Sequence, residues 1–176
     1  MSKPKTLRDF LSLYPVISRI SVKWGDMDAY RHLNNTVFFR YQEVARLRFF
    51  REFLKEIDTS VFDVKKFDEG TGLGPILSTT SCTFRLPITY PDKLLVSSVI
   101  LPGDMSHDRY KLTHTMWSMK HDSLAAVGHG VVVSYNFETG KVEPIPEAMR
   151  TAIEKVSQRN SLHLLEQLEN LQCLDD

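Results

Sequence analysis

Trp24-Gly25-Asp26-Met27-Asp28-Ala29-Tyr30-Arg31-His32-Leu33-Asn34-Asn35 sets two carboxylates, a histidine and two asparagines between a strand pattern and a long apolar helix pattern. Upstream, Val16, Ser18, Ile20, Val22 and Trp24 alternate with Arg19, Ser21 and Lys23, the period of a half-buried strand. Downstream, from Val37 to Ile57, Phe38, Tyr41, Ala45, Phe49 and Phe53 recur at helical spacing. The polar cluster therefore occupies a strand-to-helix turn. Asn34 or Asn35 would cap the helix, and the unsatisfied N–H groups of its first turn would face the nearby carboxylates or a bound ligand.

Working outward, the helix carries Phe39, Val44, Leu47, Phe50 and Leu54 as well, so its apolar surface exceeds one narrow stripe. That is expected of a helix wrapped by a sheet or shared with a partner subunit. Arg40, Glu43, Arg46 and Arg48 interrupt it, and Arg46 and Arg48 read as a solvated or salt-bridged edge. Residues 58–74 are polar and end in Gly70-Thr71-Gly72-Leu73-Gly74-Pro75, a loop; these glycines precede a strand, not a helix, and read as a flexible rim. Four strand-like runs follow, Ile76–Leu86, Lys93–Leu101, His107–Met119 and Leu124–Asn136. Their short connections predict an antiparallel four-strand meander. Glu138-Thr139-Gly140-Lys141 reads as a tight turn. From Pro146 a helix with Met149, Ile153 and Val156 on one face is expected, then an amphipathic piece over Leu162–Leu171. The fold class is α+β, with an N-terminal extension at 1–14, a main domain at 15–145 and a C-terminal helical segment at 146–176.

A chain of 176 residues is long enough to bury roughly 70% of its unfolded surface in one core. Its 22 basic and 22 acidic residues balance, which argues against nucleic acid or an anionic membrane as partner. No apolar run reaches the ~18 residues of a membrane span. The N-terminus resembles neither a secretory signal nor a good transit peptide. Cys82 and Cys173 lack disulfide or metal spacing and suit a reducing compartment; a cytoplasmic location is expected, and a mitochondrial one is compatible.

Neither a Gly-x-Ser-x-Gly elbow nor a Walker A lysine motif is present. The six histidines show no zinc spacing, so neither metal nor cofactor is expected. His107, His114 and His129 lie on or beside strands and read as ordinary strand or pocket residues. Asp26 alone reads as a solvated loop acid. Asp28 differs, because a carboxylate against apolar walls becomes a stronger base and the adjacent helix start supplies N–H groups where an oxyanion would form.

The turn, followed by Tyr41-x-Glu43-x-Ala45-Arg46, resembles the strand–turn–helix signature of the hotdog-fold thioesterases, specifically the 4-hydroxybenzoyl-CoA thioesterase-like acyl-CoA thioester hydrolases. Thr83-Phe84-Arg85-Leu86-Pro87 before Asp92, and Glu138-Thr139-Gly140-Lys141 with Pro144-Ile145-Pro146, extend the resemblance over about residues 16–150. It implies an antiparallel sheet wrapped around a long central helix, and a homodimer or dimer of dimers with active sites at the subunit interface. It also implies hydrolysis of an acyl-CoA to free acid and CoA.

The resemblance makes Asp28 nucleophile or general base and gives the backbone N–H near Asn35 the task of polarising the carbonyl. Some bacterial relatives have histidine at the position of Asn35, whereas His32-Leu33-Asn34-Asn35 looks like the His-Val-Asn-Asn of plant acyl-ACP thioesterases, in which the matching histidine is catalytic. His32 would accordingly orient a catalytic group or carry a proton. Asn34 and Asn35 would cap the helix and position the carbonyl, and Glu43 would orient water. Tyr41 and Arg85 complete the expected binding residues; Arg85, Arg109 and Lys111 are candidates for the CoA phosphates, and each reads equally well as a solvated surface residue. The alternatives are an acyl-ACP thioesterase and a catalytically weak hotdog protein that binds acyl thioesters or serves as an interaction subunit.

Overall fold

The computed structural model describes residues 4–160. The helix read from the sequence is α2 (Asn35–Leu54), begun by Asn34, whose Oδ1 accepts the Thr36 N–H at 2.9 Å. Its twenty residues make a rod of about 30 Å. Val37, Phe38, Tyr41, Ala45, Phe49 and Phe53 are buried along it.

Around α2 curls one antiparallel sheet of β1 (Ile17–Ser21), β2 (Leu73–Phe84), β3 (Lys93–Met105), β4 (Arg109–Ser118) and β5 (Ser123–Asn136). The strand order is β1-β3-β4-β5-β2, and a two-residue β6 (Lys141–Val142) pairs with β5. This is the wrapped-helix arrangement of the hotdog fold. Toward the start of α2, Val37, Phe38, Tyr41 and Ala45 meet Leu94, Val96, Met116 and Ala126 of the sheet. Toward its end, Phe49, Phe50 and Phe53 join Leu112 and Val132. The last helix, α4 (Glu147–Ser157), closes that end with Met149, Ala152, Ile153 and Val156.

Between the two apolar clusters lies a polar layer. The ring of His114 in β4 is fully buried, with Nδ1 at 2.8 Å from the Ser98 hydroxyl, and burial pushes its pKa down to about 3. On the other side of the sheet lies α1 (Leu7–Leu13), begun by a reciprocal Thr6–Asp9 capping box. Its Phe10 and Leu11 are fully buried and share an apolar cluster with Leu95, Val99 and Trp117. At roughly 1.5–3 kcal/mol for each fully buried large apolar side chain, these two residues hold the N-terminal segment to the sheet.

The structure corrects the reading of the sequence at several points. The first strand ends at Ser21, and Trp24–Asp26 forms a 3₁₀ turn that leaves Trp24 exposed. Residues 58–74 are not all loop. They contain α3 (Val64–Glu69), capped by the Asp63 side chain and stopped by Gly70 at φ 66°, the left-handed region that glycine enters at low cost. The strands do not form a four-strand meander: β3, β4 and β5 are sequential neighbours, but β2 pairs with β5 from Leu73↔Asn136 to Phe84↔Ala126. Because the sheet curls around α2, residues 85–92 cross its open end instead of turning back beside β2, and the Leu33 N–H donates to the Ile88 carbonyl at 2.8 Å to hold the crossing over the turn. Arg46 is half-buried and not simply a solvated edge, and burial lowers its pKa. The tight turn before Lys141 is present, with Gly140 at φ 68°. The expected amphipathic piece at Leu162–Leu171 lies outside the described residues.

Candidate active site

The turn folds through its own backbone. The Asp28 N–H donates to the His32 carbonyl at 2.8 Å and the Arg31 N–H to the Asp28 carbonyl at 3.0 Å, closing a loop whose base is the Met27↔Leu33 bridge. Arg31 takes φ 62°, an unfavourable conformation for a side-chain-bearing residue that this closure imposes.

Asp26, read as a solvated acid, is the tether of the turn. Its carboxylate accepts the Lys23 N–H at 3.0 Å, the Tyr41 hydroxyl at 2.9 Å and the Arg40 guanidinium at 3.2 Å. The Asp26 carbonyl accepts the Asn34 N–H at 3.0 Å. The 3₁₀ turn is thereby clamped to the first two turns of α2. Tyr41, expected to contact substrate, is buried with its hydroxyl on Asp26; burial and that hydrogen bond both raise its pKa.

Asp28 is held differently. Oδ1 accepts the N–H groups of Tyr30 at 2.8 Å and His32 at 3.2 Å, while Oδ2 has no hydrogen-bond partner among the described residues. One oxygen thus fixes the carboxylate and the other is available to a water or a substrate. His32 contributes its backbone to this arrangement; its ring is exposed and makes no hydrogen bond among the described residues. At the helix start, Asn34 takes the Thr36 N–H on its side chain and the Val37 N–H on its carbonyl. The N–H of Asn35 remains as a first-turn donor at the positive end of the helix dipole.

Asp28, His32, Asn35 and Arg85 all line one open cleft of about 450 Å³. Its remaining walls are Tyr30, Leu33, Phe38, Phe84, Leu86, Pro87 and Ile88. Phe38 meets Phe84 edge to face, with centroids 4.9 Å apart. The arrangement juxtaposes a carboxylate, a helix N-terminus and an apolar wall, and attack on a thioester carbonyl requires a base or nucleophile, a donor for the developing oxyanion and an apolar seat for the acyl group. Asn34 stands behind as cap. Glu43 is not brought to the cleft, because eight residues of helix carry it about 12 Å from Asn35, and it is exposed, with its charge acting on Arg46. Arg109 pairs with Asp108 at 2.8 Å.

The sequence reading missed the aromatic wall. Phe84 stood inside the Thr83–Pro87 signature from which only Arg85 was singled out, and Tyr30 stood inside the turn itself. Among the described residues no three histidine, cysteine, aspartate or glutamate side chains converge as a metal site.

The fold is similar to that of solved thioesterases. A Thermus thermophilus thioesterase complexed with coenzyme A and zinc is 26% identical over 84% of this chain and 97% of its own, with a TM-score of 0.68. The PA2801 protein of Pseudomonas aeruginosa is 27% identical over 80% of this chain and 98% of its own, with a TM-score of 0.62. A Synechocystis 1,4-dihydroxy-2-naphthoyl-CoA thioesterase, 18% identical over 78% of this chain and 94% of its own, shares the fold with a TM-score of 0.60. No curated protein matches the chain. The model of the thioesterase-like superfamily matches residues 22–153, a span that holds the turn, α2 and the entire cleft, and the chain belongs to that superfamily.

Proposed function

We propose that the protein is an acyl-CoA thioesterase, hydrolysing the thioester to a free acid and CoA. The observation that carries this reading is the cleft lined together by Asp28, Asn35 at the start of α2 and the Phe38–Phe84 pair. The membership of the chain in the thioesterase-like superfamily supports it. Asp28 activates water or attacks the carbonyl directly, and the Asn35 N–H stabilises the oxyanion. His32, exposed at the rim, orients a group or carries a proton. Arg85 offers its charge to a CoA phosphate.

The working unit is a homodimer or dimer of dimers. β2 is an edge strand of twelve residues, an unpaired row of backbone donors and acceptors that native proteins cover. Val44 and Leu47 on α2 and Phe84 at the cleft are exposed hydrophobics that a second protomer would bury. An acyl-ACP carrier, or a protein that binds thioesters with weak turnover, are the other readings. Incubation of the purified protein with short, long and aromatic acyl-CoAs, reading free thiol, tests the assignment: release of CoA is expected, and no release across the panel overturns it in favour of a carrier-protein substrate or a binder.

A further inference from the structure

Directly behind the cleft, the seam between α2 and β2 is bridged by Gln42. Asn35, Phe38, Gln42 and Arg46 are spaced so that they form a single stripe along α2. Asn35 and Phe38 line the cleft, Phe38 against Phe84. One turn further in stands Gln42, fully buried. Its Oε1 accepts the Thr80 hydroxyl at 3.1 Å and its Nε2 donates to the Ser81 carbonyl at 3.2 Å, so the amide bridges from the helix to the edge strand. It is seated on the bare backbone of Gly128, where a Cβ would come within 2.2 Å of Nε2. Beyond it the stripe continues with the half-buried cation of Arg46.

An acyl group entering from the α2 N-terminus and running along this seam therefore leaves the apolar wall after about 10 Å, counted from Asn35 to Gln42. It then meets a fully buried amide whose displacement breaks its hydrogen bonds to Thr80 and Ser81. We propose that Gln42 is the stop that sets acyl length: the cleft takes compact acyl groups, an aromatic ring or a short alkyl chain, and excludes long ones. The inference rests on the acyl-CoA reading and names the substrate class of that same site.

The test compares hexanoyl-, benzoyl- and decanoyl-CoA with the wild type, Gln42→Ala and Gln42→Leu, each confirmed folded by circular dichroism. The wild type is expected to prefer hexanoyl- or benzoyl-CoA. Gln42→Ala opens the seam and should raise the decanoyl-to-hexanoyl ratio of kcat/KM about tenfold, the gain from burying roughly two further methylenes. Gln42→Leu keeps the volume but loses both hydrogen bonds, so it should raise that ratio less than Gln42→Ala does, whereas a merely structural role would move the ratio with neither variant. A wild type that prefers decanoyl-CoA overturns the inference without recourse to any variant, as does a folded Gln42→Ala protein with an unmoved ratio. Absence of wild-type turnover on all three thioesters would instead overturn the acyl-CoA reading, and this inference with it.

Discussion

Removing the carboxylate of Asp26 should cost the protein about 2–3 kcal/mol, most of it through one buried hydroxyl. Asp26→Ala deprives the Tyr41 hydroxyl, on a residue only 7% exposed, of its acceptor at 2.9 Å. A buried polar group left without a partner costs about 1–3 kcal/mol. The other two bonds weigh less. The Arg40 side chain is 65% exposed, so its ion pair contributes at most about 0.5 kcal/mol, and the Lys23 N–H is exposed and can rehydrate. Tyr41→Phe removes the hydroxyl itself and leaves the carboxylate its other donors, which should cost about 1 kcal/mol. The double variant should cost no more than Asp26→Ala alone, giving a coupling of about 1 kcal/mol. Urea denaturation at one fixed protomer concentration measures all four proteins, the fixed concentration removing the mass-action term of any assembly. A loss below about 0.5 kcal/mol for Asp26→Ala, or simple additivity of the two single variants, would refute the tether.

Two further outcomes follow from the polar layer of the core. His114 has its folded-state pKa pushed down to about 3 by burial, against an ordinary value of 6.5. Between those values the unfolded chain binds a proton that the folded one does not, so stability should fall as pH drops below about 6.5, by up to ~1.4 kcal/mol per pH unit. Denaturation midpoints at pH 7.5, 6 and 5 check this, and His114→Leu should flatten the slope. Gly128→Ala would drive a methyl group to 2.2 Å from Gln42 Nε2 and 2.7 Å from the Ser81 carbonyl oxygen, and backbone cannot swing aside. A loss of about 1–3 kcal/mol is expected by thermal or urea unfolding.

Much of this was legible in the sequence because the decisive features are local. The period of Phe38, Tyr41, Ala45, Phe49 and Phe53 marks a helix wherever it occurs, and the Asn34-Asn35 pair ahead of it marks the cap to within one residue, which the structure assigns to Asn34. The density of polar residues from Asp26 to Asn35 marks the turn. Strand partnership was not legible. Alternation says that residues 76–86 form a strand, but only the curl of the sheet around α2 brings β2 beside β5. Asp26 was misread because a loop acid is usually solvated, and its buried partner Tyr41 is fifteen residues away. The short helix α3 had its signals in view, Asp63 as cap and Gly70 as stop, but the polar composition between them outweighed both. Gln42 gave no signal, since a single amide in an apolar helix is indistinguishable from a surface residue until Gly128 and Thr80 are placed against it.

The central claim is that the free oxygen of Asp28 performs the chemistry at the start of α2, and the most direct measurement is the rate of CoA release by the wild type beside Asp28→Asn. The amide keeps the size of the side chain and an oxygen for the Tyr30 and His32 N–H groups, so the fold should persist, as circular dichroism and an unchanged elution volume would show. Turnover should fall by the ~10²–10⁴ that accompanies loss of a general base, and by more than it does in Asp26→Asn. Near-wild-type hydrolysis by a correctly folded Asp28→Asn protein would contradict the carboxylate mechanism.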